Sequence, residues 1–273
     1  MKTFRGVLLL LCMMTCFSVM AQESSARQAA VVSHVEWSAG SNQILVTLRE
    51  GGIYIIDPVT QLVVVNISGD QTGPIEDASL QANGSRIATV DRTAGLDIWD
   101  IHTDSLVYTE HDLAFAWQVD WSPSGQWLIT GNMNEMFIRD AAGLPLFSVS
   151  YAIDDIPVVA FSPDGQFLAI GFTYSLEIYD LTQRHSLTSN IVPGFRHSIQ
   201  WSANGNVILA AITDATREGN FYRAATIDPF TGERFRTYSG FPNELTYARW
   251  SPDEKQILAT SVDGTAYLVD ADS

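Results

Sequence analysis

Lysine is almost missing from this chain, cysteine is confined to its beginning, and no apolar run is long enough to span a bilayer. Only Lys2 and Lys255 are lysines among 15 basic residues, which face 31 acidic ones for a net charge of −16 with His neutral. A surface this acidic disfavours nucleic acid and other phosphate-rich partners. Both cysteines, Cys12 and Cys16, fall in a stretch that reads as a secretory signal peptide. Lys2 and Arg5 open it, residues 6–19 are mostly apolar, and Val19-Met20-Ala21 supplies the small-residue cleavage pattern. Those 14 residues fall short of the ~20 that a membrane-spanning helix needs.

Cleavage after Ala21 leaves residues 22–273 without a cysteine, which excludes disulfides and thiolate metal sites there. Residues 1–21 hold two basic and no acidic residues, so the remainder has 13 basic against 31 acidic, a net of −18. The expectation is a signal peptide over 1–21 and one folded domain over 22–273, secreted or periplasmic, with no membrane span in the mature chain. Catalytic signatures are lacking as well. There is no Gly-x-Ser-x-Gly elbow, His-Glu-x-x-His pair, phosphate loop or Gly-rich dinucleotide turn. The histidines, His34, His102, His111, His185 and His197, are scattered along the chain.

What is present is a period. Six times a large apolar residue is followed about twenty residues later by an Asp that ends an apolar run. The pairs are Trp37/Asp57, Leu80/Asp100, Trp121/Asp140, Phe161/Asp180, Trp201/Asp228 and Trp250/Asp270, and their first members lie 43, 41, 40, 40 and 49 residues apart. Self-similarity at that spacing marks a repeat architecture. The units centre near 31–68, 75–112, 116–152, 156–192, 196–240 and 245–273.

The fourth unit reads most clearly. Val158-Val159-Ala160-Phe161 is a short apolar strand, and Ser162-Pro163-Asp164-Gly165 is a turn with Pro and Gly where their backbone preferences suit it. Residues 167–171 make a second strand, and the alternation in Leu176-Glu177-Ile178-Tyr179-Asp180 makes a third. Residues 186–192 supply a fourth. Four short strands per period is the content of a propeller blade, and no 3.6-residue periodicity appears after the leader. The chain is expected to be all-β.

The strings Trp121-Ser122-Pro123-Ser124-Gly125, Phe161-Ser162-Pro163-Asp164-Gly165 and Leu96-Asp97-Ile98-Trp99-Asp100 resemble the WD-repeat β-propeller family. The resemblance covers nearly all of residues 22–273 and implies one propeller of four-stranded blades. Only one unit ends in Trp-Asp, and the Gly-His pair typical of the family is missing. Six blades are expected, with an incomplete seven-bladed propeller as the alternative. The sixth unit ends after three strands, so a fourth must come from residues 22–30 or be absent.

Regularity argues against a site at the repeat markers. The aromatics are expected to pack between blades, and the six Asp residues to cap the turn after strand three. By the resemblance, the linkers before strand one gather on one face around a channel mouth. They carry Glu76, Asp77, Glu110, Asp112, Asp154, Asp155 and Glu244, with His111 and His197. Such carboxylates suit a divalent cation or a basic protein segment, although a solubilising role suffices. The fifth unit departs from the rule, with 27 residues between Trp201 and Asp228. Its extra residues fall at 213–222, read as a lengthened loop on that same face, with Asp214, Arg217, Glu218, Phe221 and Tyr222 as candidate contacts. The expected function is a non-catalytic extracytoplasmic scaffold that binds a protein and needs no cofactor. The alternative is a hydrolase or lyase at the channel mouth, a fold-level analogy.

Overall fold

The computed structural model describes residues 2–4, 31–38, 42–49, 51–67, 74–91, 95–113, 115–152, 157–191, 195–216 and 219–272. Among them every regular element is a β-strand, and the strands form six antiparallel sheets of four. The chain divides into two compact units, Met13–Ile153 and Met1–Cys12 with Asp154–Ser273. In the first unit, sheet one holds β2 (Val32–Trp37), β3 (Ile44–Leu48), β4 (Ile53–Asp57) and β5 (Leu62–Ile67). Sheet two holds β6 (Asp77–Leu80), β7 (Arg86–Asp91), β8 (Gly95–Asp100) and β9 (Ser105–Glu110). Sheet three holds β10 (Gln118–Trp121), β11 (Trp127–Gly131), β12 (Glu135–Asp140) and β13 (Pro145–Ser150).

In the second unit, sheet four holds β14 (Val158–Phe161), β15 (Phe167–Gly171), β16 (Ser175–Asp180) and β17 (His185–Ile191). Sheet five holds β18 (Phe195–Trp201), β19 (Ile208–Thr216), β20 (Gly219–Ile227) and β21 (Arg234–Phe241). Sheet six holds β22 (Leu245–Trp250), β23 (Gln256–Ser261), β24 (Ala266–Asp270) and, at its outer edge, β1 (Lys2–Phe4).

Side chains close the turns as their residue types suggest. Ser162 Oγ accepts the Phe167 amide at 2.9 Å and donates to Asp164 Oδ1 at 2.6 Å. Gly165 follows at φ 68°, a left-handed conformation that costs other residues roughly 1–2 kcal/mol. Ser122, Ser202 and Ser251 repeat the amide bond at 3.0 Å. After the third strand, the Oδ1 atoms of Asp57, Asp100, Asp140, Asp180, Asp228 and Asp270 accept amides two to four residues on, at 2.7–3.0 Å. The recurrent aspartates are turn caps.

Each sheet has a rear face, which carries the marker residue, and a forward face, which carries the residues one and three before it. The forward face of sheet one (Leu45, Ile53, Ile55) packs on the rear face of sheet two (Ala78, Leu80, Ile87). Sheet two meets sheet three the same way, with Ala88, Leu96 and Ile98 against Val119, Trp121 and Leu128. Sheet four covers sheet five with Ala169, Leu176 and Ile178 against Ile199, Trp201 and Ile208. Sheet five covers sheet six with Leu209, Ala211 and Ala224 against Ala248, Ile257 and Ala259. Leu80, Trp121, Phe161 and Trp201 are buried, as markers between blades should be. Trp37 differs: it is 59% exposed.

The fourth strand of sheet six is a second departure. Residues 22–30 lie outside the described residues. Lys2–Phe4, from the stretch read as a signal peptide, pairs antiparallel with β24 in the register Lys2↔Leu268, Thr3↔Tyr267 and Phe4↔Ala266. An open strand edge presents unpaired amides and carbonyls, and any available extended segment satisfies them. Packing dominates stability in a chain without cross-links in its folded part. Ile98, fully buried in the cluster between sheets two and three, is a sensitive probe. Ile98→Ala should cost about 2–5 kcal/mol in chemical denaturation.

Candidate functional site

Two positions on each first strand organise the chemistry. Glu36 on β2 accepts the Leu80 amide of β6 at 2.9 Å through Oε2. Asp77 Oδ2 and Ser79 Oγ on β6 accept the Val119 and Trp121 amides of β10 at 3.0 and 3.1 Å. In the second unit Ser198 Oγ and Gln200 Oε1 on β18 accept the Ala248 and Trp250 amides of β22, both at 2.9 Å. A polar side chain one or three residues before the marker thus satisfies an amide of the next sheet. Ala160 holds the same place on β14 and cannot, so the Trp201 indole donates to the Ala160 carbonyl at 2.9 Å instead.

In the first unit one of the two positions on each first strand is acidic, and the acids gather in a cluster. Ser79 Oγ lies 3.4 Å from both Glu36 Oε1 and Asp120 Oδ1. His34 Nδ1 is 2.7 Å from Asp77 Oδ1, and its Nε2 makes no hydrogen bond. Burial pushes the Glu36 carboxyl up to about 7, against the Leu80 amide and His34. Burial and then the charges of Glu36 and Asp77 push Asp120 up to about 8, although part of its side chain still reaches solvent. Burial opposes a charged His34, but Asp77 outweighs it and the imidazole is raised. Near neutral pH the cluster therefore holds protons that its residue types would release in water. Chemically it offers a carboxyl that donates and an imidazole oriented by a carboxylate.

Of the expected site residues, Asp77 alone joins this cluster. His34, Glu36 and Asp120 were not foreseen, although polar residues one and three before the marker, on otherwise apolar strands, were a usable signal. Glu110 is occupied elsewhere. Arg139, fully buried where sheet two has Trp99, reaches Glu110 Oε2 at 2.5 Å, Thr130 Oγ1 at 2.8 Å and the Gly143 carbonyl at 2.9 Å. Burial alone would raise the Glu110 carboxyl, but Arg139 and the Tyr108 hydroxyl hold it below its usual range. Glu76 and Glu244 are half-buried and Asp112 is exposed, while Asp154 and Asp155 lie outside the described residues. Among the described residues, no group of three or more His, Cys, Asp or Glu is placed to hold a metal ion.

The lengthened loop of unit five is instead a longer hairpin. β19 and β20 stay paired through Thr216↔Gly219, whereas β18 stops pairing at Ile212 and β21 at Tyr222. Residues 214–216 and 219–221 form a two-stranded ribbon beyond the sheet, since Thr213, Phe221 and Tyr222 favour strands. Asp214 is not a free anion: Arg223 bonds it at 2.8 Å, and Arg234 at 3.0 and 3.2 Å. Phe221 stays exposed, with the Arg223 guanidinium 5.4 Å from its ring centre. Arg217 and Glu218 lie outside the described residues, as does the side chain of His197.

A family model for "WD domain, G-beta repeat" matches residues 103–136 and 232–270. Those two stretches are similar to WD repeats. Each matched stretch begins by the outer strand of one sheet and runs into the next, from β9 to β12 and from β21 to β24. A chain of the solved "Crystal Structure of Mitotic Checkpoint Complex" is 17% identical, with a TM-score of 0.71 over 90% of this chain and 76% of that one. A chain of Kuenenia stuttgartiensis hydrazine synthase is 13% identical, with a TM-score of 0.69 over 92% and 80%. No curated protein matches the sequence. Likeness at such identities shows the fold alone, a β-propeller, here with six four-stranded blades. Among the described residues no helix is long and apolar enough to cross a membrane.

The acidic cluster sets a pH dependence. Glu36, Asp120 and His34 all have folded values above their unfolded ones, so the folded chain holds protons that the unfolded chain has released. Stability from Glu36 and Asp120 is full below about pH 4 and is lost as pH rises through about 7 and about 8. The unfolding free energy should therefore fall between pH 5 and pH 8.5, by an amount on the order of 2 kcal/mol, with a lower melting temperature, and Glu36→Gln with Asp120→Asn should flatten the profile. Separately, Glu110→Ala leaves the Arg139 guanidinium buried without its anion and should cost about 3–5 kcal/mol in thermal or denaturant unfolding.

Proposed function

We propose that this WD-repeat propeller is a non-catalytic scaffold that is exported behind residues 1–21 and binds another protein outside the cytoplasm. WD-repeat propellers commonly mediate protein interactions. The observation that carries the reading here is the ribbon of the fifth blade. A strand pair that outruns its sheet offers backbone edges and an exposed aromatic on a rigid base. Phe221 supplies that aromatic, backed by Arg223, and the Asp214 ion pairs hold the ribbon's root. The rest of the acidic surface favours a partner with basic residues at its rim and speeds its approach. No cofactor is required.

The test is to replace residues 214–221 with Asn-Gly, which joins Thr213 to Tyr222 through a two-residue hairpin turn and keeps their pairing. Affinity capture from the native compartment should return a partner with the natural chain and lose it with the shortened one, while the melting temperatures stay within a few degrees. Equal capture by both chains moves the interface elsewhere. A second reading, a hydrolase or lyase, draws on the His34–Asp77 pair beside two raised carboxyls.

A further inference from the structure

Five of the six sheets end in an outer strand that follows the third strand directly in the chain, and those outer strands are six to eight residues long. Sheet six is the exception among the described residues. Its outer strand is β1, only three residues long, against a β24 of five. Both strands lie in the second compact unit. Their register stops at Leu268, although β24 continues to Asp270. The edge itself is unusually regular. In the other five sheets the outer strand is bulged against the third, a device that twists an edge out of reach of other strands. β24 pairs with β23 and with β1 without any register shift. It reads Ala-Tyr-Leu-Val-Asp, with neither the Lys nor the Pro that guards an open edge. Leu268 stays 39% exposed even with β1 beside it.

We propose that the outer edge of β24 accepts an extended basic segment of a partner protein as an added strand, with Lys2–Phe4 holding that place until the leader is removed. Removal of residues 1–21 is the export step proposed above, and access to the edge depends on it. A strand of three residues closes few ladder bonds. While it is tethered its association is intramolecular, but once cut it must bind as a free peptide and is readily exchanged. The seated segment shows what the edge takes: a cation opposite Leu268 and an aromatic ring opposite Ala266. Residues 245–273 hold two basic residues against five acidic ones, so the sheet attracts a cationic strand. A longer occupant in the same register places its two preceding residues opposite Val269 and Asp270. A second cation opposite Asp270 then makes a favourable cross-strand pair. The backbone bonds of such an added strand supply affinity, and its alternate side chains supply selectivity.

The experiment uses the full chain carrying Cys12→Ser and Cys16→Ser, with a sequence-specific protease site placed after Ala21, before and after cutting. The probe is fluorescein-labelled Arg-Val-Lys-Thr-Phe-Thr, whose Lys, Thr and Phe take the register of Lys2, Thr3 and Phe4 and whose Arg falls opposite Asp270. Fluorescence anisotropy should show half-saturation of the cut chain at about 50 μM and binding to the uncut chain at least ~tenfold weaker. A peptide with Pro for its Val and first Thr lacks ladder donors, and one with Glu for its Arg and Lys reverses the charge; each should bind at least ~tenfold more weakly. To place the peptide, Leu268→Cys in the cut chain should form a disulfide with a probe carrying Cys for its Lys. That reaction should run several-fold faster than with Leu187→Cys, an exposed position on the outer strand β17. A cut chain that binds no better than the uncut one, a Pro peptide that binds equally well, or equal cross-linking at Leu187 overturns the proposal. The binding comparisons alter only the peptide, so they stand whatever a cysteine variant does to folding. Removal of residues 1–21 is read separately, from the mass of the exported chain: retention there overturns the export step, whereas the cut chain tests the edge by itself.

Discussion

A short alternating strand buries one side chain in two on each face, so a four-stranded sheet of this composition has two apolar faces and cannot stand alone in water. Everything else in the molecule answers to that constraint. Each covered forward face meets a rear face, and the meeting places the first strand of one sheet beside the first strand of the next. Those strands are edges, with amides that the ladder leaves unpaired. The side chains of Glu36, Asp77, Ser79, Ser198 and Gln200 satisfy them, and so tie neighbouring blades by hydrogen bonds as well as by apolar contact.

The same geometry accounts for the electrostatics. Three consecutive first strands carry polar residues at the tying positions, and in blades one to three one residue of each pair is an acid: Glu36, Asp77 and Asp120. Each acid is useful where it stands, because it accepts an amide or orients a neighbour, yet together they repel. Burial first, and repulsion between the acids second, raise the Glu36 and Asp120 carboxyls, while Asp57 and Asp100, in exposed turn caps with amide donors, fall. Arg139 shows the opposite solution, a buried cation whose cost is offset by Glu110, Thr130 and a carbonyl.

Some of this was legible in the residues. The markers and aspartates repeat at a spacing near forty residues, and both roles are local: an Asp bonds its own turn, and Ser-Pro-Asp-Gly closes a hairpin, whatever the rest of the chain does. The 27-residue spacing in unit five was visible too. Its form was not, since ten residues between two strands read equally as a loop or as more strand, and pairing through Thr216↔Gly219 decides between them. The linker acids illustrate the other failure. Glu110 was grouped with Asp112 by position in the repeat, but its partner Arg139 is 29 residues away on another sheet.

Sequence by itself determined the all-β class, the six-fold period and the chemistry of the recurrent Ser and Asp turns among the described residues, because those depend on neighbours within a few residues. Tertiary structure alone decided which acids share protons, that Asp214 is held by two arginines, that Lys2–Phe4 completes the sixth sheet, and that Trp37 stands exposed while Trp121 is buried. Identical residue types at identical repeat positions carry the same local propensity. What separates them is the tertiary surroundings of each side chain, and no local pattern records those.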